Sequence, residues 1–136
     1  EEKIVETPEV YRLEKLRVSF ESDSVPTAYV AIHVQGEGVR EQRAEGNGSV
    51  DAIYNAIDAL TGEEVELEDY AIKSVSQGKD ALGEVHVVLA QNDVSAQGRG
   101  LSTDILEASA RAYIDALNRL IERRKSPRRR DRMSLI

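Results

Sequence analysis

Gly98-Arg99-Gly100-Leu101-Ser102-Thr103-Asp104-Ile105-Leu106-Glu107-Ala108-Ser109-Ala110-Arg111-Ala112-Tyr113 runs from two glycines into a helical pattern of small residues. Gly46-Asn47-Gly48-Ser49-Val50-Asp51-Ala52-Ile53, 52 positions upstream, has the same G-x-G, a hydroxyl side chain and an aspartate, again opening a helix. We read the two as an internal repeat. Glycine lets another group approach the main chain closely, and the first N–H groups of a helix have no partner inside it. Such a junction suits a carboxylate or another anion; it serves equally as a capped turn with no ligand. The third glycine of a dinucleotide fingerprint and the G-K-[ST] of a phosphate-binding P-loop are both missing.

Each junction is preceded by strand patterns. Leu16–Glu21 alternates apolar and polar residues, as a half-buried strand does. In the next strand Ala28, Val30, Ile32 and Val34 share one face. Gly36-Glu37-Gly38 makes a hairpin turn, and Val39–Glu45 reads as a polar third strand at an edge. The first helix runs from Ser49 or Val50 to Leu60, with Thr61-Gly62 as its stop. The pattern then restarts: a long strand over Val65–Ser76, a turn at Gln77-Gly78-Lys79-Asp80, a strand over Gly83–Ala90 with Val85, Val87 and Leu89 inward, and a short strand over Val94–Gln97. The second helix is expected from about Thr103 to Arg123 or Arg124. Its Asp104 and Glu107 have the D-x-x-E spacing of a helix start. Ala108, Ala112 and Ala116 leave a smooth stripe for another backbone, from the sheet or from a second helix. The predicted fold is α+β: two βββα repeats forming a pseudo-twofold antiparallel-sheet/helix sandwich.

The 136 residues suit one domain. Cysteine is absent, which excludes a disulfide frame, a thiolate zinc site and a cysteine nucleophile. Net charge is −7, with a basic end over residues 122–136 and a strongly acidic remainder, which argues against nucleic acid as the main partner. No run is long and apolar enough for a membrane span and no signal peptide is visible, so a cytoplasmic location is expected. The opening Glu1-Glu2-Lys3 suggests a piece of something longer. We divide the chain into a linker over 1–10, a domain over 11–124 (repeats at about 11–62 and 63–124) and a flexible basic tail over 125–136.

No catalytic constellation emerges. His33 and His86 lie on analogous strands without clustered carboxylates, so no metal site is expected. Asp51 and Asp104 sit at helix starts, where capping outranks acid–base work. Tyr54 and Tyr113 read as core or interface residues. Tyr70 either walls a pocket or merely packs.

Over residues 11–121 the chain resembles the C-terminal regulatory domain of 2-isopropylmalate synthases, the LeuA allosteric and dimerisation domain. The resemblance rests on Tyr11-Arg12-Leu13-Glu14-Lys15-Leu16, on Gly46 through Ala52, on Gly78-Lys79-Asp80-Ala81, and most of all on Gly98 through Arg119. It implies two βββα units and a homodimer that binds the end-product amino acid, leucine. The effector pocket it implies comprises Gly46, Gly48, Val50, Asp51, Ala52, Tyr70, Ala81, Gly100, Leu101, Ser102 and Asp104. Ser49 stands where that family usually has proline; both suit a helix start, Ser as a cap and Pro in the first turn. By the same resemblance the catalytic half is a TIM barrel with a divalent metal, condensing acetyl-CoA with 2-oxoisovalerate. None of it is expected in this chain, which is therefore expected to be no enzyme by itself and to hold no cofactor. Two neighbouring readings stay open: an isoleucine-sensing regulatory domain of citramalate synthase, and a dimerisation module without effector. A stand-alone enzyme would need an acid, base or metal cluster that the sequence does not show.

Overall fold

The computed structural model describes residues 9–75 and 81–125. Their order is β1 (Tyr11–Ser19), β2 (Thr27–Val34), β3 (Gly38–Glu45), α1 (Ser49–Thr61), β4 (Glu66–Val75), β5 (Gly83–Gln91), β6 (Val94–Ser102) and α2 (Ile105–Arg124). Two antiparallel sheets, ordered β1-β2-β3 and β4-β5-β6, are each followed by a helix. This is the expected α+β pair of βββα units. The expected turn over Gln77–Asp80, most of the linker and nearly all of the basic tail lie outside the described residues.

The apolar alternation sets the inner faces. Val30, Ile32, Val85, Val87 and Leu89 are fully buried and join Ile53, Ile57, Leu117 and Leu120 of the helices in one core. β3 is an edge strand, as its polarity suggests. α1 ends where Gly62 adopts the left-handed conformation (φ 71°) and its N–H bonds to the Asp58 carbonyl.

Two strands differ from the sequence reading. β1 starts at Tyr11 rather than Leu16, and Phe20 lies beyond its end, 69% exposed. The cause is a register shift between Leu13 and Lys15, which brings Leu13 and Leu16 opposite Ile32 and Val30 on the inner face although they are three positions apart. The extra residue breaks strict alternation and hides the strand's first half.

β6 is the larger correction. It continues to Ser102, so Gly98 and Gly100 are strand residues opposite Val87 and Val85, not part of a loop leading into the helix. They are glycines because α2 lies directly on them. A Cβ on Gly98 would stand 2.1 Å from the Ala112 carbonyl oxygen, and one on Gly100 2.1 Å from that of Ala108. The alanine stripe, with Ala108, Ala112 and Ala116 fully buried, thus meets the sheet.

Candidate functional site: paired helix starts and a tyrosine cluster

The two helices run side by side in the same direction. Tyr54 Oη donates to the Ser109 carbonyl (2.9 Å), and Tyr113 Oη donates to Asp58 Oδ1 (2.6 Å). Each bond joins residues 55 positions apart in the same sense, which only parallel, in-register helices allow. Both helix N-termini therefore open at one end of the molecule. The β1–β2 loop joins them there, since the Gly46 N–H bonds to the Pro26 carbonyl.

Three tyrosines hold the helices and β4 together. The Tyr54 and Tyr113 rings stack at 4.1 Å, and Tyr70 stands edge-on to Tyr54 at 6.4 Å. Tyr70 Oη shares a 2.7 Å hydrogen bond with Ser109 Oγ, which also donates to the Ile105 carbonyl. Burial pushes the Tyr54 and Tyr113 hydroxyls well above the usual range, reinforced for Tyr113 by Asp58, so both are neutral donors. Burial raises Asp58 too, and the Tyr113 hydrogen bond partly offsets the rise. Tyr54 and Tyr113 are core residues, as the sequence suggests; the pairing of Ser109 and Asp58 with them across the helices has no sequence signal.

The two junctions are not equivalent. At α2, Asp104 Oδ1 accepts from the N–H groups of Leu106 and Glu107, and the Asp104 N–H donates to Ser102 Oγ, so the helix start is occupied by its own side chains. At α1 the N-cap is Gly48 and no side chain caps it. Ser49 is the first helical residue rather than the cap, and Asp51 reaches back to accept the Asn47 N–H (2.8 Å).

The resemblance-implied residues fall into distinct settings. Gly48, Val50 and Asp51 surround the uncapped start of α1, and nothing lies within 4 Å of a Cβ placed on Gly48. Ser102 and Asp104 surround the start of α2, Tyr70 bridges to it through Ser109, and Ala81 precedes β5. Gly46, Ala52 and Gly100 are packing positions: a Cβ on Gly46 would lie 2.3 Å from the Ala52 nitrogen, and Ala52 is fully buried. Leu101, 43% exposed, lies on the opposite sheet face from Gly100.

Outside this end, His86 Nε2 meets Glu84 Oε2 at 2.6 Å and its Nδ1 meets Gln97, while Arg99 bonds the same Glu84. The His86 bond, then Arg99, holds the Glu84 carboxyl below its usual range. No cluster of three or more potential metal ligands occurs among the described residues, and no described helix is long and apolar enough to cross a membrane.

Two βββα units with both helix starts at one end define a paired-repeat α+β domain, and comparison with known proteins names the family. Residues 1–121 match the LeuA allosteric (dimerisation) domain, and the chain belongs to that family. Its relatives include the 2-isopropylmalate synthase of Brevibacillus brevis, 54% identical over 125 residues, which are 92% of this chain and 24% of that protein. The 2-isopropylmalate synthase of Carboxydothermus hydrogenoformans is 48% identical over 123 residues (89% and 24%), and that of Shouchella clausii 44% over 119 (88% and 23%). The chain spans about a quarter of the length of these relatives.

Proposed function

We propose that the chain, over residues 11–124, is the leucine-sensing and dimerising part of a 2-isopropylmalate synthase, and that leucine bound here lowers the activity of a catalytic region outside it. The carrying observation is the parallel helix pair, which brings an uncapped helix start (Gly48, Val50, Asp51) to the same end as Tyr70, Ser102 and Asp104. The α1 start suits the amino acid's carboxylate, the acidic and carbonyl oxygens its ammonium, and Val50 and the Tyr70 ring its branched side chain. Gly46, Ala52 and Gly100 serve this end by close packing of helices on strands, and Ala81 and Leu101 lie at the same end.

The same end exposes several large apolar side chains among polar ones. Phe20, Val25, Ile72, Leu82 and Leu101, all more than 40% exposed, lie in the β1–β2 loop or toward the ends of β4, β5 and β6 that face it. A second copy covering this end accounts for the exposure and closes the pocket from solvent. In the parent enzyme a TIM barrel with its divalent metal would condense acetyl-CoA with 2-oxoisovalerate. Coupling requires that leucine bind two states of the assembly with different affinity.

Isothermal titration of the chain with leucine, isoleucine and valine, with its mass measured in solution, tests the reading. A dimer preferring leucine supports it; preference for isoleucine transfers the chain to a citramalate synthase. A dimer that binds none of the three leaves only the assembly role.

A further inference from the structure

The outer face of the first sheet carries an unusual row. Arg17, Tyr29 and Arg43 stand directly opposite one another on β1, β2 and β3. Both guanidinium carbons lie over the Tyr29 ring, at 5.1 and 5.5 Å from its centroid. Arg12, Arg40, Arg99, Arg111, Arg119 and Arg124 each pair with a carboxylate. Arg17 and Arg43 make no such pair among the described residues, in a chain where acids outnumber bases 25 to 18. Stacking uses the flat face of a guanidinium and leaves its N–H edge for a planar or tetrahedral oxyanion. A cavity of about 230 Å³ opens between them, lined by Arg17, Ser19, Thr27, Tyr29 and Arg43. The lining has two cations, three hydroxyls and no carboxylate.

We propose that this cavity binds a phosphate-type oxyanion, held by the Arg17 and Arg43 guanidiniums with a hydrogen bond from the Ser19 hydroxyl, while the Thr27 hydroxyl donates to the Val25 carbonyl. Two guanidiniums fixed on one ring are pre-organised, so little side-chain freedom is lost when the anion arrives. The flanking charges favour a compact ligand over an acidic protein surface. Glu41 and Glu45 border Arg43 on the same face of β3, Glu41 beside the Tyr29 hydroxyl and Glu45 opposite Thr27, and would repel an extended acidic partner. Ser19 and Thr27 flank the β1–β2 loop at the proposed effector end, but neither arginine is among the proposed effector-binding residues.

The phosphate group has two sources, free inorganic phosphate or the phosphate of a larger metabolite. Calorimetric titrations of the chain with inorganic phosphate and with adenosine 5′-monophosphate at low ionic strength distinguish them, with acetate and chloride as controls. Saturable phosphate binding, weakened at least about tenfold in an Arg17→Gln/Arg43→Gln variant, is expected from the loss of two charge-assisted contacts. Tighter binding of the nucleotide than of phosphate would assign the site to a phosphate ester. Tyr29→Leu, which keeps both charges but removes their platform, is expected to weaken binding severalfold. Thermal melts of these exposed-face variants verify folding, and leucine titration of the same variants is expected to be unchanged. No saturable binding of either probe, or binding that the double variant leaves intact, would overturn the site whatever the leucine result.

Discussion

Single atoms decide the contact between β6 and α2. The carbonyl oxygens that a Cβ at Gly98 or Gly100 would meet are backbone, held in the helix, and have no side-chain freedom with which to retreat. Gly100→Ala is therefore expected to cost about 3 kcal/mol, the upper end of overpacking penalties, through forced separation of helix and sheet. Gly48→Ala, with open space around the added carbon and an extended φ of −152°, is expected to cost under about 1 kcal/mol. Urea unfolding of both variants checks the contrast. Asp58 gives a pH-dependent case. Its raised pKa means that the folded chain takes up this proton more readily than the unfolded one, whose aspartates titrate near 3.9. The associated stabilisation is complete below the unfolded value and lost as pH rises through the folded one. At neutral pH the half-buried charge is thus a burden. Asp58→Asn keeps an oxygen for Tyr113 and is expected to raise the melting temperature at pH 7, with the gain vanishing toward pH 4. Equal melting curves at pH 7 would refute this.

At the scale of elements, the sequence revealed most where one residue type serves one purpose. Asp104 was legible as the start of α2 because an aspartate before a helical pattern has one efficient use, and its Oδ1 takes two N–H groups. Asp104→Ala is expected to cost about 1 kcal/mol, read by thermal or urea unfolding. Gly98 and Gly100 are ambiguous in the sequence because glycine serves two ends, a turn and a close approach, and local sequence does not separate them. The alanine stripe held the missing clue: small residues on a helix need an equally bare surface opposite, and Gly98 and Gly100, one strand period apart, supply it. Asn118 was silent for a different reason. Its amide accepts from the Tyr11 N–H and donates to the Tyr11 carbonyl, both at 2.9 Å, so a helix side chain completes a strand edge 107 residues away. Such pairing leaves no trace in periodicity. Asn118→Leu strands two backbone groups in a buried setting, and a loss of about 2–4 kcal/mol is expected on urea unfolding.

For the whole molecule, the repeat predicted two similar halves but not how they meet. Their relation is set by contacts between helices, with Tyr54 on Ser109 and Tyr113 on Asp58, and these make α1 and α2 parallel rather than antiparallel. That choice has a consequence for assembly. Parallel helices gather both helix starts, the β1–β2 loop and the ends of the strands at one pole, and with them five of the large exposed apolar side chains. The opposite pole instead has a hollow of about 680 Å³ whose lining includes Asp58, Glu63, Glu64 and Glu66, with Glu63 paired to Arg124. Self-association through the pole that holds the helix starts then predicts a specific failure. Ile72→Asp puts a charge on a residue already 52% exposed, so the single chain loses little stability, whereas a dimer burying that residue would bury an unpaired carboxylate. The expected outcome in sedimentation or light scattering is a monomer with an unchanged circular dichroism spectrum, and a weaker leucine isotherm because the pocket loses its cover. A dimer that survives Ile72→Asp at micromolar concentration would move the interface elsewhere, and an undiminished leucine isotherm in a monomer would show that one copy completes the pocket alone.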